Sequence, residues 1–177
     1  MKELRKYGHI RRTDDLGRII IPKEIRQFLN IRENEPLEIS VMERGIYIEK
    51  YQPLQTLESL CEQYLTVLFK SCNIACAVCS NEQIIRSKGI SLSTGQLLSA
   101  PLRKGIQNLE TYHYSEESPL RVFDDSKYLL DSVYPVGSKE QPLGAVILLP
   151  YRSTTPEERC CAKLIADILT ELTINQS

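Results

Sequence analysis

The chain has 177 residues, of which 42% are hydrophobic and 25% are charged, and its formal net charge is −1 at pH 7. This composition is typical of a globular protein with one ordinary domain or two small ones, and it argues against intrinsic disorder. No apolar run approaches the ~20 residues that cross a bilayer, and residues 1–12 lack the apolar stretch of a secretory signal. We therefore expect a cytoplasmic protein with reduced cysteines and no membrane partner.

Positive charge is concentrated at the N-terminus. Residues 1–32 contain nine cationic and four anionic side chains, a balance of +5, whereas residues 51–177 contain 11 and 14, a balance of −3. A basic segment on a mildly acidic body is typical of a protein that binds a polyanion through one end. A solvated surface has the same charge pattern, so charge alone does not decide between the two interpretations.

The first fifty residues predict two hairpins with a helix between them. Asp14-Asp15 is a turn signal in the first hairpin, and Arg44-Gly45 joins the second. Pro22 suits the first helical position, and Asn30 suits the left-handed residue that follows a helix. The predicted elements are strands over residues 8–13, 16–22, 36–42 and 46–51 and a helix over residues 23–29.

This segment is too small to be stable alone. About fifty residues without a metal or a disulfide bury little apolar surface. The consecutive Ile19, Ile20 and Ile21 face both sides of their strand, so both sides need cover. We therefore expect an obligate dimer that interleaves its strands.

The second half predicts an α/β domain with a helix at each end of an open or mixed sheet. After the linker YQPLQ (51–55), apolar residues at three- and four-residue steps indicate a helix from Leu54 to Cys72. Thr155 can cap a terminal helix, and Pro156 suits its first position. Between these helices we expect strands over 74–79, 83–88, 132–138 and 142–150 and a helix around 94–106, with no assignment for 108–119.

One motif in the first fifty residues is specific. Residues 8–22 (GHIRRTDDLGRIIIP) fit the pattern G-x-x-[RK]-x-x-D-x-L-G-R-[IV]-x-[IV]-P, and a short basic helix and a hairpin beginning LEI follow. Residues 8–51 thus resemble the AbrB-type swapped-hairpin DNA-binding domain almost without gaps. The whole chain is similar to members of that family in which a GAF-like domain follows a KY-x-P junction, and QPLGAVILLP (141–150) resembles a strand of such domains.

The resemblance implies an α+β fold in two parts. Residues 1–53 are expected to form an N-terminal swapped-hairpin β-barrel dimer that binds DNA. Residues 54–177 are expected to form an α/β GAF-like regulatory and oligomerisation domain, with residues 54–72 as a linker helix.

The resemblance also implies which side chains bind double-stranded DNA. Arg11, Arg18 and Arg26 occupy the basic positions of the family, and Arg12 stands where lysine is common. Gln27 departs from the family, which commonly has a second consecutive arginine there, so Gln27 is not counted as a contact. Arginine forks match phosphates and guanine edges and also enter narrow A·T-rich minor grooves, so we expect A·T-rich promoters as targets. The predicted DNA-binding residues are Arg11, Arg12, Arg18, Lys23 and Arg26.

Two residues of the first turn have expected structural roles. DNA phosphates repel a carboxylate, so an acidic side chain in a DNA-binding turn calls for a structural role. We expect Asp14 to cap the turn or to pair with an arginine rather than to contact a base. Gly17 is expected to supply backbone freedom at the start of the second strand.

The cysteines and histidines are interpreted as structural. Cys72, Cys76 and Cys79 have the C-x3-C-x2-C spacing of an iron–sulfur motif, but that motif belongs to a much larger barrel. We expect Cys76 and Cys79 to be buried small residues, Cys160-Cys161 to pack in the last helix, and no metal or cofactor to be bound. His9 is expected to pack or to face DNA, and His113 to lie in a surface loop. No nucleophile-elbow, P-loop, dinucleotide-binding or zinc-protease motif occurs, so no enzymatic activity is expected.

These observations together predict a transcription regulator of sporulation or stationary-phase genes, associated with the nucleoid. Its C-terminal domain would sense a signal, such as an unknown small-molecule ligand, or set the oligomeric state. Leucines of the 54–72 helix and the terminal stripe of Leu164, Ile165, Ile168, Leu169 and Leu172 predict a tetramer built from two dimers. The alternatives are an antitoxin-like protein that holds a toxin, and a ligand or redox sensor that acts through its C-terminal domain.

Overall fold

The computed structural model describes residues 9–33, 35–43, 45–149 and 152–174. The chain divides between Tyr51 and Gln52 into two compact units. Its helices are α1 (Lys23–Phe28), α2 (Pro53–Thr56), α3 (Glu58–Cys72), α4 (Ala100–Gln107) and α5 (Pro156–Ile174). Its strands are β1 (Leu37–Met42), β2 (Gly45–Lys50), β3 (Cys76–Ser80), β4 (Ile84–Lys88), β5 (Tyr112–His113), β6 (Ser132–Gly137) and β7 (Pro142–Leu148). Among the described residues, no helix is long and apolar enough to cross a membrane.

The second predicted hairpin of the first unit is confirmed. Strands β1 and β2 pair antiparallel, from Leu37 opposite Lys50 to Met42 opposite Gly45. The sequence predicted Gly45 in the turn, but Gly45 is the first residue of β2. Arg44, the other residue of the predicted turn, lies outside the described residues. Glu43 holds the positive φ of +46° that a tight turn before a paired strand requires.

Helix α1 begins at Lys23, as the predicted range does, and ends at Phe28, one residue before the predicted end. Pro22 precedes the helix with an extended ψ of 147°, so it acts as the N-cap residue and not as the first helical residue. Asn30 adopts the predicted left-handed conformation, with φ of +53°. Its N–H donates to Gln27 O at 3.2 Å and the next N–H, of Ile31, donates to Arg26 O at 2.7 Å. These two bonds satisfy carbonyls that the helix end leaves without partners.

The first predicted hairpin is wrong for a single chain. Within residues 9–22, which are all described, no strand forms. The N–H of Asp14 donates to Arg18 O and that of Gly17 to Asp14 O, so the turn itself closes. No further backbone bond joins the two flanking described segments, and strands exist only where such a ladder continues.

The second unit is built on one sheet with the order β4-β3-β7-β6-β5. All four predicted strands are confirmed, and the segment 108–119 contributes the short edge strand β5. Every pairing is antiparallel, so the sheet is not mixed. Short connections account for two of these pairings, β3 with β4 and β6 with β7, because a hairpin makes its strands antiparallel.

The predicted single helix from Leu54 to Cys72 is in fact two helices. Helix α2 ends at Thr56, and Leu57 links it to α3. This break lets Leu54 pack against Gly144 in β7, where an added Cβ would lie 2.8 Å from Leu54 Cδ1. Both helices contribute to the core of the second unit, α2 through Leu54 and α3 through residues such as Leu65.

The helix predicted around 94–106 begins later, at Ala100. The side chain of Ser99 accepts a hydrogen bond from Leu102 N at 3.4 Å and so caps α4, and Pro101 lies in its first turn. Residues before Ser99 instead form a turn, and Leu97 bridges to Gln83.

Helix α5 begins as predicted. The N–H of Thr155 donates to Glu158 Oε2 at 2.8 Å, and that of Glu158 donates to Thr155 Oγ1 at 3.4 Å. This reciprocal pair is a capping box, with Pro156 as the first helical residue. Of the predicted apolar stripe, Ile165 and Leu169 are buried, whereas Leu164 is 58% exposed because it lies outside the face that meets the sheet.

The sheet of the second unit separates two apolar cores. Helices α3 and α5 pack on one face, and α4 with the neighbouring loops packs on the other. The first core includes Leu54, Leu65, Leu68, Val78, Val146, Leu148 and Leu169. The second includes Ile84, Leu98, Leu102, Ile106, Leu130 and Ile147.

Candidate nucleic-acid interface

The turn after Asp14 is organised by that carboxylate. Asp14 Oδ1 accepts from the N–H of Leu16 at 3.0 Å and of Arg18 at 2.7 Å. Asp14 Oδ2 accepts from Arg18 Nε at 2.7 Å. The hydrogen bond from the Arg18 N–H, and then that from its side chain, lower the pKa of Asp14, so the carboxylate remains ionised at neutral pH. The predicted pairing of Asp14 with an arginine is thereby confirmed.

Gly17 allows this turn to close. Its φ of +76° lies in the left-handed region, which residues with a Cβ rarely adopt. No atom lies within 4 Å of the position that a Cβ would take, so the constraint is conformational and not steric crowding. The predicted role of Gly17 in backbone freedom is confirmed.

All five predicted DNA-binding residues lie on the surface. Arg18 is anchored by Asp14, and Arg11 Nη1 donates only locally, to Ile10 O at 3.1 Å. Lys23 and Arg26 are three residues apart on α1, so they share one side of that helix. No recorded bond among the described residues joins the turn cations to the helix cations, and Gln27 is exposed beside Arg26.

The first unit also exposes many large apolar side chains. Between residues 9 and 51, the described part contains no buried large apolar side chain. Ile10 is 93% exposed, Ile20 80% and Val41 81%. Large apolar side chains left exposed in such number are typical of a surface that another chain covers. The exposed set is Ile10, Leu16, Ile19, Ile20, Phe28, Leu29, Ile39, Val41, Met42, Ile46 and Tyr47.

The cysteines follow the prediction only in part. Cys76 and Cys79 are buried in β3, as expected, and burial raises the pKa of each thiol to about 12. Cys72 lies half-buried at the end of α3. Cys160 and Cys161 are exposed, which corrects their predicted packing role, because the buried face of α5 is formed by residues such as Ala162 and Ile165.

The two histidines lie in different surroundings. His9 is exposed. His113 lies in strand β5 and not in a loop, and its ring meets Tyr134 edge-on with centroids 5.9 Å apart. His113 Nδ1 lies 3.3 Å from Ser132 Oγ, whose hydroxyl donates to Asp131 Oδ2. This edge-strand position was not predictable, because residues 108–119 have neither helical nor strand periodicity.

Two of the concavities in the described part of the second unit have similar volumes. One has a volume of about 290 Å³ and lies where α2 and α3 meet β4, with Glu58 and Arg86 paired in its wall. The other, of about 300 Å³, lies between the loops around Ser91 and Lys127. The sequence contained no motif that indicated either one, since each is assembled from segments far apart in the chain.

Comparison with known proteins places the similarity in both units. Residues 10–56 match the family described as Antidote-toxin recognition MazE, bacterial antitoxin. The chain is 30% identical over 159 residues to Stage V sporulation protein T of Bacillus subtilis (strain 168), covering 87% of this chain and 89% of that relative. It is 40% identical over 55 residues to Transition state regulatory protein AbrB of the same organism, covering 31% of this chain and 57% of that relative. Putative transition state regulator Abh, also from B. subtilis, is 36% identical over 50 residues, 28% of this chain and 54% of that relative.

Proposed function

Since the chain belongs to the AbrB family of transcription regulators, together with stage V sporulation protein T, we propose that it regulates transcription by binding double-stranded DNA through residues 1–53. The observation that carries this proposal is the anchored Arg18, which the Asp14 turn holds on an exposed surface with further cations nearby in sequence. Arg11, Arg12, Lys23 and Arg26 complete the proposed contacts. Cations at this density favour the phosphate backbone, and arginine forks also suit base edges.

The DNA-binding unit is proposed to be a dimer with interleaved hairpins. The apolar side chains that one chain leaves exposed need cover, and a second copy offers the same apolar set in return. Residues 9–13 and 16–22 would then find their strand ladder in the partner chain. Two copies together form the proposed swapped-hairpin barrel, which has no open edges.

Residues 54–177 are proposed to be a GAF-like domain that senses a signal and joins two dimers into a tetramer. An antiparallel sheet with helices on both faces supports the first part. Exposed apolar residues support the second, because Val67 on α3 and Leu164 and Ile174 on α5 are each more than half exposed. A tetramer holds two DNA-binding units and gains affinity at paired sites through effective concentration.

A small-molecule signal has two candidate sites in the concavities of the second unit. The concavity beside Glu58 and Arg86 adjoins α2 and α3, the first helices after the DNA-binding unit. A ligand there would contact the segment that connects the two units along the chain.

We propose a role in the regulation of sporulation or stationary-phase genes, in the cytoplasm and on nucleoid DNA, because the relative that covers most of the chain is named as a sporulation protein. No enzymatic activity is proposed.

An antitoxin function is the second candidate, because the matching family model is described as a bacterial antitoxin. Antitoxins of this kind hold a toxin through a segment that folds on binding. The described residues after 53 instead form a sheet with two packed cores, which leaves little chain for such a segment. The regulator is therefore the better supported function.

The proposed function can be tested by selection from a random duplex library. The wild-type chain should enrich an A·T-rich sequence family, and replacing Arg11, Arg18 and Arg26 by alanine should abolish the enrichment. A matched control replaces the exposed Lys104, Lys127 and Lys139 of the second unit, which removes the same charge. Equal enrichment by both triple variants, or none by the wild type, would contradict the proposal.

A further inference from the structure

The two oxygens of the Asp14 carboxylate have separate tasks. Oδ1 accepts from two backbone N–H groups, those of Leu16 and Arg18, and so shapes the turn. Oδ2 accepts from Arg18 Nε at 2.7 Å and so fixes the guanidinium. Because these tasks belong to different atoms, a substitution can remove one and keep the other.

The bond at Nε leaves the outer end of Arg18 available. A guanidinium has five N–H donors, and the four on Nη1 and Nη2 are not used by Asp14. The side chain is 71% exposed, and no hydrogen bond of these two nitrogens is recorded within the described parts of the chain. Arg18 therefore presents a pair of parallel donors in a fixed direction.

The pair also has a distinctive charge. Asp14 and Arg18 together are neutral, so the pair adds little to the attraction that every DNA sequence exerts on a cation. Its directed donors remain, and a fork of this geometry matches the two acceptors on a guanine edge. A tethered arginine loses less side-chain freedom when it binds, but it cannot follow phosphates that lie elsewhere.

We propose that Asp14 is a positioning residue for sequence discrimination, which directs the Arg18 fork to a base edge and keeps it from general phosphate binding. This inference rests on the proposed function, because it presupposes that the chain binds DNA. The occupant of the fork is the edge of a base in a groove of duplex DNA. Asp14 itself touches no DNA and acts through Arg18.

Asp14→Asn in the full chain is the central variant. Asparagine keeps a carbonyl oxygen for the two backbone donors, but its NH₂ group cannot accept from Arg18 Nε. Asp15→Asn is the matched control, because it removes the same charge from the adjacent exposed residue, which takes no part in the three bonds. Each protein is titrated with the duplex that the wild type prefers and with a scrambled duplex of equal composition.

In Asp14→Asn, the ratio of the two affinities should fall about tenfold or more, the range of one bidentate base contact. In Asp15→Asn, both affinities should rise together and the ratio should stay at the wild-type value. Melting temperature and oligomer mass should match the wild type in both variants, which a purely structural role of Asp14 would not allow. Equal ratios in the two variants would overturn the proposal.

Arg18→Lys provides a second route if Asp14→Asn does not fold. Lysine keeps the charge but has no fork, so discrimination should fall as far as in Asp14→Asn, and the double variant should lose no more than either alone. Wild-type discrimination in Arg18→Lys would overturn the proposal. A wild-type chain that binds no duplex contradicts the proposed function itself, whereas a discriminating wild type with unchanged variants contradicts only the role of Asp14.

Discussion

The two units of this chain bury apolar surface in opposite ways. Every large apolar side chain that is buried in the described residues lies between Leu54 and Leu169, in the second unit. The first unit instead presents apolar side chains such as Ile10 and Ile20 to solvent. The second unit can therefore be stable as one chain, and the first is expected to require a second copy. The apolar side chains that one chain leaves exposed therefore indicate whether a unit can be stable alone, as well as where it binds a partner.

The largest effect is expected from a cavity in the second unit. Leu65 on α3 is fully buried, so Leu65→Ala should lower the free energy of unfolding by about 2–5 kcal/mol. Gln63 is exposed on the same helix, so Gln63→Ala should cost about 0.5 kcal/mol or less. Denaturant unfolding of residues 52–177 checks both values. Similar losses from the two substitutions would mean that α3 does not pack as described.

A substitution in the first unit tests whether its exposed apolar side chains are buried by a second copy. Ile20 is 80% exposed in one chain, so a unit complete by itself predicts that Ile20→Ala costs about 0.5 kcal/mol or less. Burial of Ile20 by a second copy predicts about 2 kcal/mol or more. Chemical denaturation of residues 1–53 at fixed concentration decides between these values. Glu24→Ala, at an exposed position of α1, is the control that should have little effect in either case.

The smallest effect is expected in the salt dependence of DNA binding, which tests whether the first unit or the second binds DNA. If Arg26 contacts one phosphate, Arg26→Ala should reduce the slope of log affinity against log salt by about 0.9. Lys104→Ala removes an exposed cation from α4 in the second unit and should leave the slope unchanged. Anisotropy titrations of one duplex over a series of salt concentrations provide both slopes. If the Lys104 variant changed the slope and the Arg26 variant did not, DNA binding would belong to the second unit.

Local patterns predicted the elements whose partners are close in the sequence. The hairpin of β1 and β2, the left-handed Asn30, the Thr155 cap of α5 and the strands β3, β4, β6 and β7 are all specified by nearby residues. The motif around Asp14 and Gly17 likewise predicted the roles of both residues before any geometry was known.

Features set by distant contacts were not predictable. Leu54, in the short helix before the break at Leu57, packs against Gly144, about 90 residues later in the chain, and such contacts have no local signal. The predicted helix around 94–106 begins too early, because periodicity alone does not show where a helix starts. In the structure the Ser99 side chain caps the helix and sets its start at Ala100. Of the strands expected at 8–13 and 16–22, none forms within the described residues 9–22 of one chain, because a ladder requires a neighbour that this chain does not supply.

The central claim is that the first unit is completed by a second copy of itself. Its most direct test is the melting temperature of residues 1–53 over a hundredfold range of protein concentration. A dimer of this size should melt roughly 10–15 °C higher at the upper end, because unfolding separates the two chains. A melting temperature that does not change with concentration, together with a monomer mass by light scattering, would contradict the account.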